Sequence, residues 1–438
     1  MEENTNQLSL RYGVEDSPKF QESALLGLQN VVTAFGGLVA VPLVIAGMAG
    51  SSVEETAYLI SAALLVSGIA SIIQSKGFGP KTFRVGSGLP IIMGTDFAFI
   101  GPAQSVIALG GLPAYFGGIM LGSLLEIFMS YFIKPLMKIF PPVVTGSVIT
   151  LMGATLMSTA MDWIAGGAGA ENYGVPLNLL IAGIVFLLIV ILNYYAPDNI
   201  ARYAILIGMF IGYIICIFLG QVDLGQIVAA DWFSLPSFNK IGIDFNWTYA
   251  LPFLSGYLVT VIESIGVVQT IGQVTETDLE DGQIAAGVRA DGFSSFLGPI
   301  FGSGAAATFS QNAGLIPLTR NASRKVAIYA GVIMIALSMS PKLATVISVM
   351  PLPVLGGAGI LMFGTVMASG IQSLGQVNID TRNLIIIASS VGVGLGIAFR
   401  PEITAQLPTF FAGLFSSGIS AGTIIAIILN LLLKEKHN

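Results

Sequence analysis

Four acidic residues stand inside long apolar runs: Asp96 in PIIMGTDFAFIG, Glu126 in LGSLLEIFMSYF, Glu263 in YLVTVIESIGVV and Asp291 in VRADGFSSFLG. A charge at the centre of a bilayer costs at least about 2.5 to 3.5 kcal/mol, so each acid is a functional candidate by default. The Glu263 carboxylate can accept an N–H from a ligand, or carry a proton when neutral. Gln311 offers an amide donor and acceptor together, the complement of a ring edge that alternates N–H and C=O. Phe97 and Phe309 stand next to Asp96 and two residues before Gln311, placed to stack on a flat ligand. Each polar residue also has a structural reading. Glu263 and Gln311 can tie neighbouring helices, and Asp96 can cap a helix. Asp291 is either a proton site or a partner of Arg289 or another basic group near the cytoplasmic face, and Glu126 is expected to bond within the helix bundle. The single histidine, His437, lies in the polar tail KEKHN, so no imidazole serves catalysis, metal binding or a proton relay inside the membrane. With no metal cluster and no nucleophile and base pair in view, an enzyme has little support, and no cofactor is expected.

Two unusual segments carry these residues: VGSGLPIIMGTDFAFIGP (85–102) and GSGAAATFSQNAGLIPLTR (302–320). Both are short, glycine-rich and interrupted by proline, at Pro90 and Pro317. Non-helical backbone at membrane depth is tolerated only where it is buried in protein or lines a cavity. Each segment is therefore expected to face a site. Paired discontinuous helices at matching places in two halves are the pattern of an inverted-repeat secondary transporter, with substrate at the bilayer midplane.

The composition fits that frame. Of 438 residues 54% are hydrophobic and 10% charged, and the mean hydropathy is +0.84. Soluble domains carry about 25% charged residues, so an ordinary cytoplasmic enzyme is excluded and a polytopic α-helical membrane protein is expected. We read fourteen apolar runs, among them a third at about 88–101, a fourth at 114–133, an eleventh at 324–345 and a fourteenth at 406–433. With a cytoplasmic start, nearly all Lys and Arg residues of the connections fall inside, and only Lys240, Lys342 and Arg400 fall outside. Trp163, Trp232 and Trp247 fall in or beside outer connections, at headgroup level. A lone cysteine, Cys216, rules out an intrachain disulfide, and the net charge of −6 gives no reason to expect a nucleic-acid partner. The resulting organisation is a cytoplasmic tail (1–21), a first seven-segment repeat (22–220), an external connection (221–247), a second repeat (248–433) and a cytoplasmic tail (434–438).

The run QNAGLIPLTR from Gln311 to Arg320 resembles the signature of the nucleobase–ascorbate transporter family, with Gln311, Asn312, Gly314, Thr319 and Arg320 at matching spacing. LQNVVTAFGGLVAVPLVIAG, GSGLPIIMGTDFAFIG, VIESIG, ADGF and PLPVLGGAGILMFGTVMASGI extend the likeness along nearly the whole chain. The resemblance implies fourteen segments in two inverted repeats, with a core domain from about 22–133 and 248–345 and a gate domain from about 135–220 and 350–433. It implies a symporter in which Glu263 binds a nucleobase through its N–H groups and Gln311 reads the opposite edge. Phe97, Ala98 and Asp96 at the third segment, and Phe309, would complete the binding set. Asp291, Asn312, Asn30, Gly314, Thr319 and Arg320 would support geometry and coupling. Gln at the first signature position favours xanthine or urate over uracil. Val267, four residues after Glu263, and Asn30 depart from the family's usual Asp or His at those places. A proton is the expected coupling ion ahead of sodium, the bacterial cytoplasmic membrane the expected location, and a homodimer the expected assembly. A uracil carrier and a sodium-coupled carrier are the alternatives.

Overall fold

The structure is a computed structural model that describes residues 10–433 apart from 202, 278, 405, 409, 410, 413, 414 and 416. The Gln311 side chain and the tail with His437 lie outside the described residues. The helices that matter here are α1 (Phe20–Ala49), α2 (Val53–Lys76), α3 (Ile100–Met129), α4 (Pro142–Ile164), α5 (Pro176–Tyr195), α6 (Ala204–Phe218), α7 (Trp247–Val274), α8 (Asp281–Phe301), α9 (Ser310–Ala313), α10 (Leu315–Thr319), α11 (Arg324–Ser338), α12 (Pro341–Ser348), α13 (Leu352–Leu374), α14 (Thr381–Phe399) and α15 (Gly418–Leu432). Among the described residues eight helices are long and apolar enough to cross a membrane, or up to nine if α11 and α12 are counted as one span. The protein is a multi-pass membrane protein.

Local sequence sets the ends of these helices. Ser52 and Glu55 form a reciprocal capping box at the start of α2, with Glu55 N–H donating to Ser52 Oγ at 3.2 Å and Ser52 N–H to Glu55 Oε2 at 3.1 Å. Lys76 sits in the last turn of the same helix, where a cation opposes the carbonyl end of the helix dipole. The eleventh apolar run is not straight: α11 and α12 meet at an 83° bend, because Pro341 opens α12 and leaves no N–H to continue α11. The third and fourth runs also differ from the reading of the sequence. One helical stretch runs on past residue 101, and the chain turns at Gly110 and Gly111, where Gly111 has φ 66° and ψ −161°, a conformation a side chain would obstruct. Within the fourteenth run lies α15, whose cap is Ser417 accepting from Ser420 N–H at 3.1 Å.

The helices pack in two groups. α1, α2, α3, α7, α8, α11 and α12 surround a two-stranded sheet, whereas α4, α5, α6, α13, α14 and α15 pack on one another. The strands β1 (Met93–Thr95) and β2 (Ala306–Thr308) pair antiparallel, with Met93 opposite Thr308 and Thr95 opposite Ala306. Both are fully buried, so their outer edges need partners. Two serines supply them. On α2, Ser71 Oγ accepts from Met93 N–H at 2.9 Å; on α8, Ser295 Oγ accepts from Ala306 N–H at 3.1 Å and donates to its carbonyl at 3.0 Å. Gln74 bridges the halves, donating to the Gly287 carbonyl at 3.2 Å and accepting from Ser87 N–H at 3.0 Å. Trp232 and Trp247 are exposed, whereas Trp163, at the end of α4, is buried against Phe363 of α13.

Candidate functional site

β1 and β2 lead into broken helices, and the candidate residues gather where the strands end. Asp96 follows β1 and caps the short turn Phe97–Phe99, accepting from Ala98 N–H at 2.6 Å. The helix-terminus reading of Asp96 thus has its bond, and the Ala98 N–H is taken up by it. Glu263, midway along α7, lies beside Asp96.

Asp291 on α8 stands on the other side of α7. It accepts from Ser264 Oγ, from Thr308 Oγ1 at 2.9 Å and from Thr308 N–H at 3.3 Å, and the Ser264 and Thr308 hydroxyl oxygens stand 3.1 Å apart. It therefore fixes the end of β2 to α7. Arg289 is not its partner: the guanidinium donates to Ser130 Oγ at 3.1 Å and to the Arg84 carbonyl at 2.6 Å, and lies over Tyr131 at 4.4 Å. Glu126 bonds within the bundle, accepting from Thr260 Oγ1 on α7 at 2.6 Å.

Phe97 and Phe309 line one cavity of about 80 Å³, together with Gly36 and Gly37 of α1, Met209 of α6 and Met362 of α13. The cavity lies between the two helix groups. Phe97 meets Phe363 in a T-shaped contact at 5.3 Å between centroids. Phe309 is seated on glycine, since a Cβ at Gly94 would stand 2.3 Å from its Cζ and one at Gly37 2.9 Å. We expect Gly94→Ala to tilt the Phe309 ring and raise the uptake KM severalfold without loss of expressed protein; an unchanged KM would remove Phe309 from the pocket wall.

The remaining signature residues form a support. Asn312 donates to the carbonyl and to Oδ1 of Asn30 at 3.0 Å each, so the tenth segment hangs on the first. Gly314 is exposed and Thr319 Oγ1 donates back to the Leu315 carbonyl at 2.8 Å. Arg320 is exposed with φ 52°, and its carbonyl accepts from Arg11 N–H at 2.7 Å. Sequence reasoning passed over Ser264 and Thr308, although each adjoins a residue it singled out.

Residues 21–403 match the Xan_ur_permease model, described as a permease family. The "Putative purine permease CPE0397" of Clostridium perfringens is 47% identical over 98% of this chain and 94% of its own length. The chain belongs to this permease family. Two Bacillus subtilis relatives, a xanthine permease and the uric acid permease PucK, are each 35% identical over 94% of this chain, covering 94% and 96% of their own lengths. Among solved structures, the transmembrane domain of the cyanobacterial bicarbonate transporter BicA aligns with a TM-score of 0.62 over 90% of this permease and all of that domain. At 12% identity that likeness shows the fold alone.

Proposed function

We propose that this permease carries an oxidised purine base, xanthine or urate, into the cell across the bacterial cytoplasmic membrane by symport with a proton. The observation that carries the reading is the pair of carboxyl residues, Asp96 and Glu263, close to each other where β1 ends beside a cavity lined by Phe97 and Phe309, in a protein whose relatives are named for xanthine and uric acid. A base that offers two N–H groups to Glu263 comes between it and Asp96, and a proton held by the pair is then free to move with the cycle. Gln311 reads the opposite edge of the base, Phe97 and Phe309 hold its faces, and Asn30 and Asn312 keep the tenth segment in register.

Fourteen segments in two inverted repeats suit the antiparallel β1 and β2 and the matched serines Ser71 and Ser295. In the same reading, the helices around the sheet form a core that moves against a gate of α4 to α6 and α13 to α15, and the gates of two chains pair in a homodimer. The test is uptake of radiolabelled xanthine into cells expressing the protein, with protonophore and sodium-free arms and unlabelled urate, uracil and guanine as competitors. Uptake that collapses with protonophore, is blocked by urate and resists uracil is the expected result. Uptake that requires sodium, or is blocked by uracil alone, overturns the coupling ion or the substrate.

A further inference from the structure

Glu126 has no part in the site described above, yet it is one of the most deeply buried polar groups in the protein, with 0% exposure. Only one of its oxygens is satisfied. Oε1 accepts from Thr260 at 2.6 Å, whereas Oε2 is shut off from solvent and has no hydrogen-bond partner. It packs on α8 at Gly292, the residue after Asp291, where a Cβ would come within 3.3 Å of its own Cβ. Thr260 and Ser264 are one turn apart on the same face of α7, so the hydroxyl bonded to Glu126 and the hydroxyl bonded to Asp291 lie in line.

The charged and titratable groups around Glu126 are few. On α7 there is Tyr257, whose hydroxyl is occupied by the Ile119 carbonyl at 2.8 Å. On α8 they are Asp291, which acts on Glu126 electrostatically, and Arg289, which is held by Ser130 and the Arg84 carbonyl. From β1, Asp96 contributes a weaker field. No cation bonds the carboxyl among the described residues. An unpaired buried carboxylate is strongly unfavourable, whereas a carboxylic acid needs only an acceptor for its proton.

We propose that Glu126 is a second proton-carrying site, exchanging its proton with the Asp291 and Glu263 region through the hydroxyl face of α7 during transport. Through Thr260 it meets α7 one turn nearer the Trp247 end than Asp291 does through Ser264. The inference rests on proton symport as proposed above.

Glu126→Gln keeps the shape and the Thr260 bond but cannot release a proton. In vesicles with an imposed pH gradient, wild-type protein should concentrate xanthine, and a one-unit gradient supports about tenfold accumulation per coupled proton. Glu126→Gln should lose that accumulation and its dependence on external pH, while exchange of external for internal xanthine continues; Glu126→Asp should recover part of the pH response. Wild-type accumulation in Glu126→Gln overturns the proposal and leaves the symport reading intact. Loss of exchange in both variants marks Glu126 as structural and also overturns it. If wild-type uptake itself ignores the gradient, the symport reading fails and this proposal falls with it.

Discussion

Replacing Glu263 with Ala should bring xanthine uptake to background while the protein reaches the membrane at wild-type level. Glu263 is half-buried on α7 and needs no partner for the helix to form, since the helix is carried by its apolar faces against α3 and α8. In the proposed reading, the substitution removes the acceptor for the base. Hydrogen bonds to a charged group contribute about 1.5 to 3 kcal/mol each, so losing two weakens binding by about a hundredfold or more. Glu263→Gln separates the roles further, because an amide presents one acceptor and one donor and sets that donor against a base N–H. We expect no measurable uptake by Glu263→Gln either, and Asp96 then lacks its ionisable neighbour. Uptake with wild-type KM by Glu263→Ala, measured beside membrane expression, would remove Glu263 from the site.

The parts of this site that were legible in the sequence are those with no cheap alternative explanation. A carboxylate in an apolar run is costly wherever it sits, so Asp96, Glu126, Glu263 and Asp291 stood out before any fold was known. The two glycine-rich interrupted runs stood out for the same reason, and they hold β1 and β2. The polar groups that complete the arrangement were hidden because their residue types are common in apolar helices. Ser71 and Ser295 satisfy the strand edges, yet serine in a membrane helix ordinarily bonds the carbonyl one turn back, as Ser71 also does to Ser67 at 2.8 Å. Arg289 looked like a partner for Asp291 two residues away, but positions two apart on a helix do not face each other. Its cation settled instead on Tyr131 and the Arg84 carbonyl. The bend between α11 and α12 was marked only by Pro341, and the turn inside α3 only by a glycine pair in a chain of 53 glycines.

Asp291 offers the sharper test of whether anchoring and coupling are separate duties. Its carboxylate accepts three hydrogen bonds, from Ser264, Thr308 Oγ1 and Thr308 N–H, all inside the buried core. Asp291→Ala leaves those donors without an acceptor, and an unsatisfied buried donor costs about 1 to 3 kcal/mol. The variant should melt several degrees lower in detergent and lose uptake, since β2 is no longer tied to α7 and Phe309 loses its footing. Asp291→Asn keeps one oxygen for the Thr308 groups and should melt near the wild type. Its uptake should nevertheless fall, because an amide cannot take and release a proton. Exchange that persists in Asp291→Asn while concentrative uptake is lost would place Asp291 in coupling. Equal melting of the Ala variant and the wild type would show that β2 is held by other bonds, chiefly Ser295 and the strand pairing itself. The distinction matters because the same carboxylate bonds both the end of β2, next to Phe309, and α7, next to Glu263.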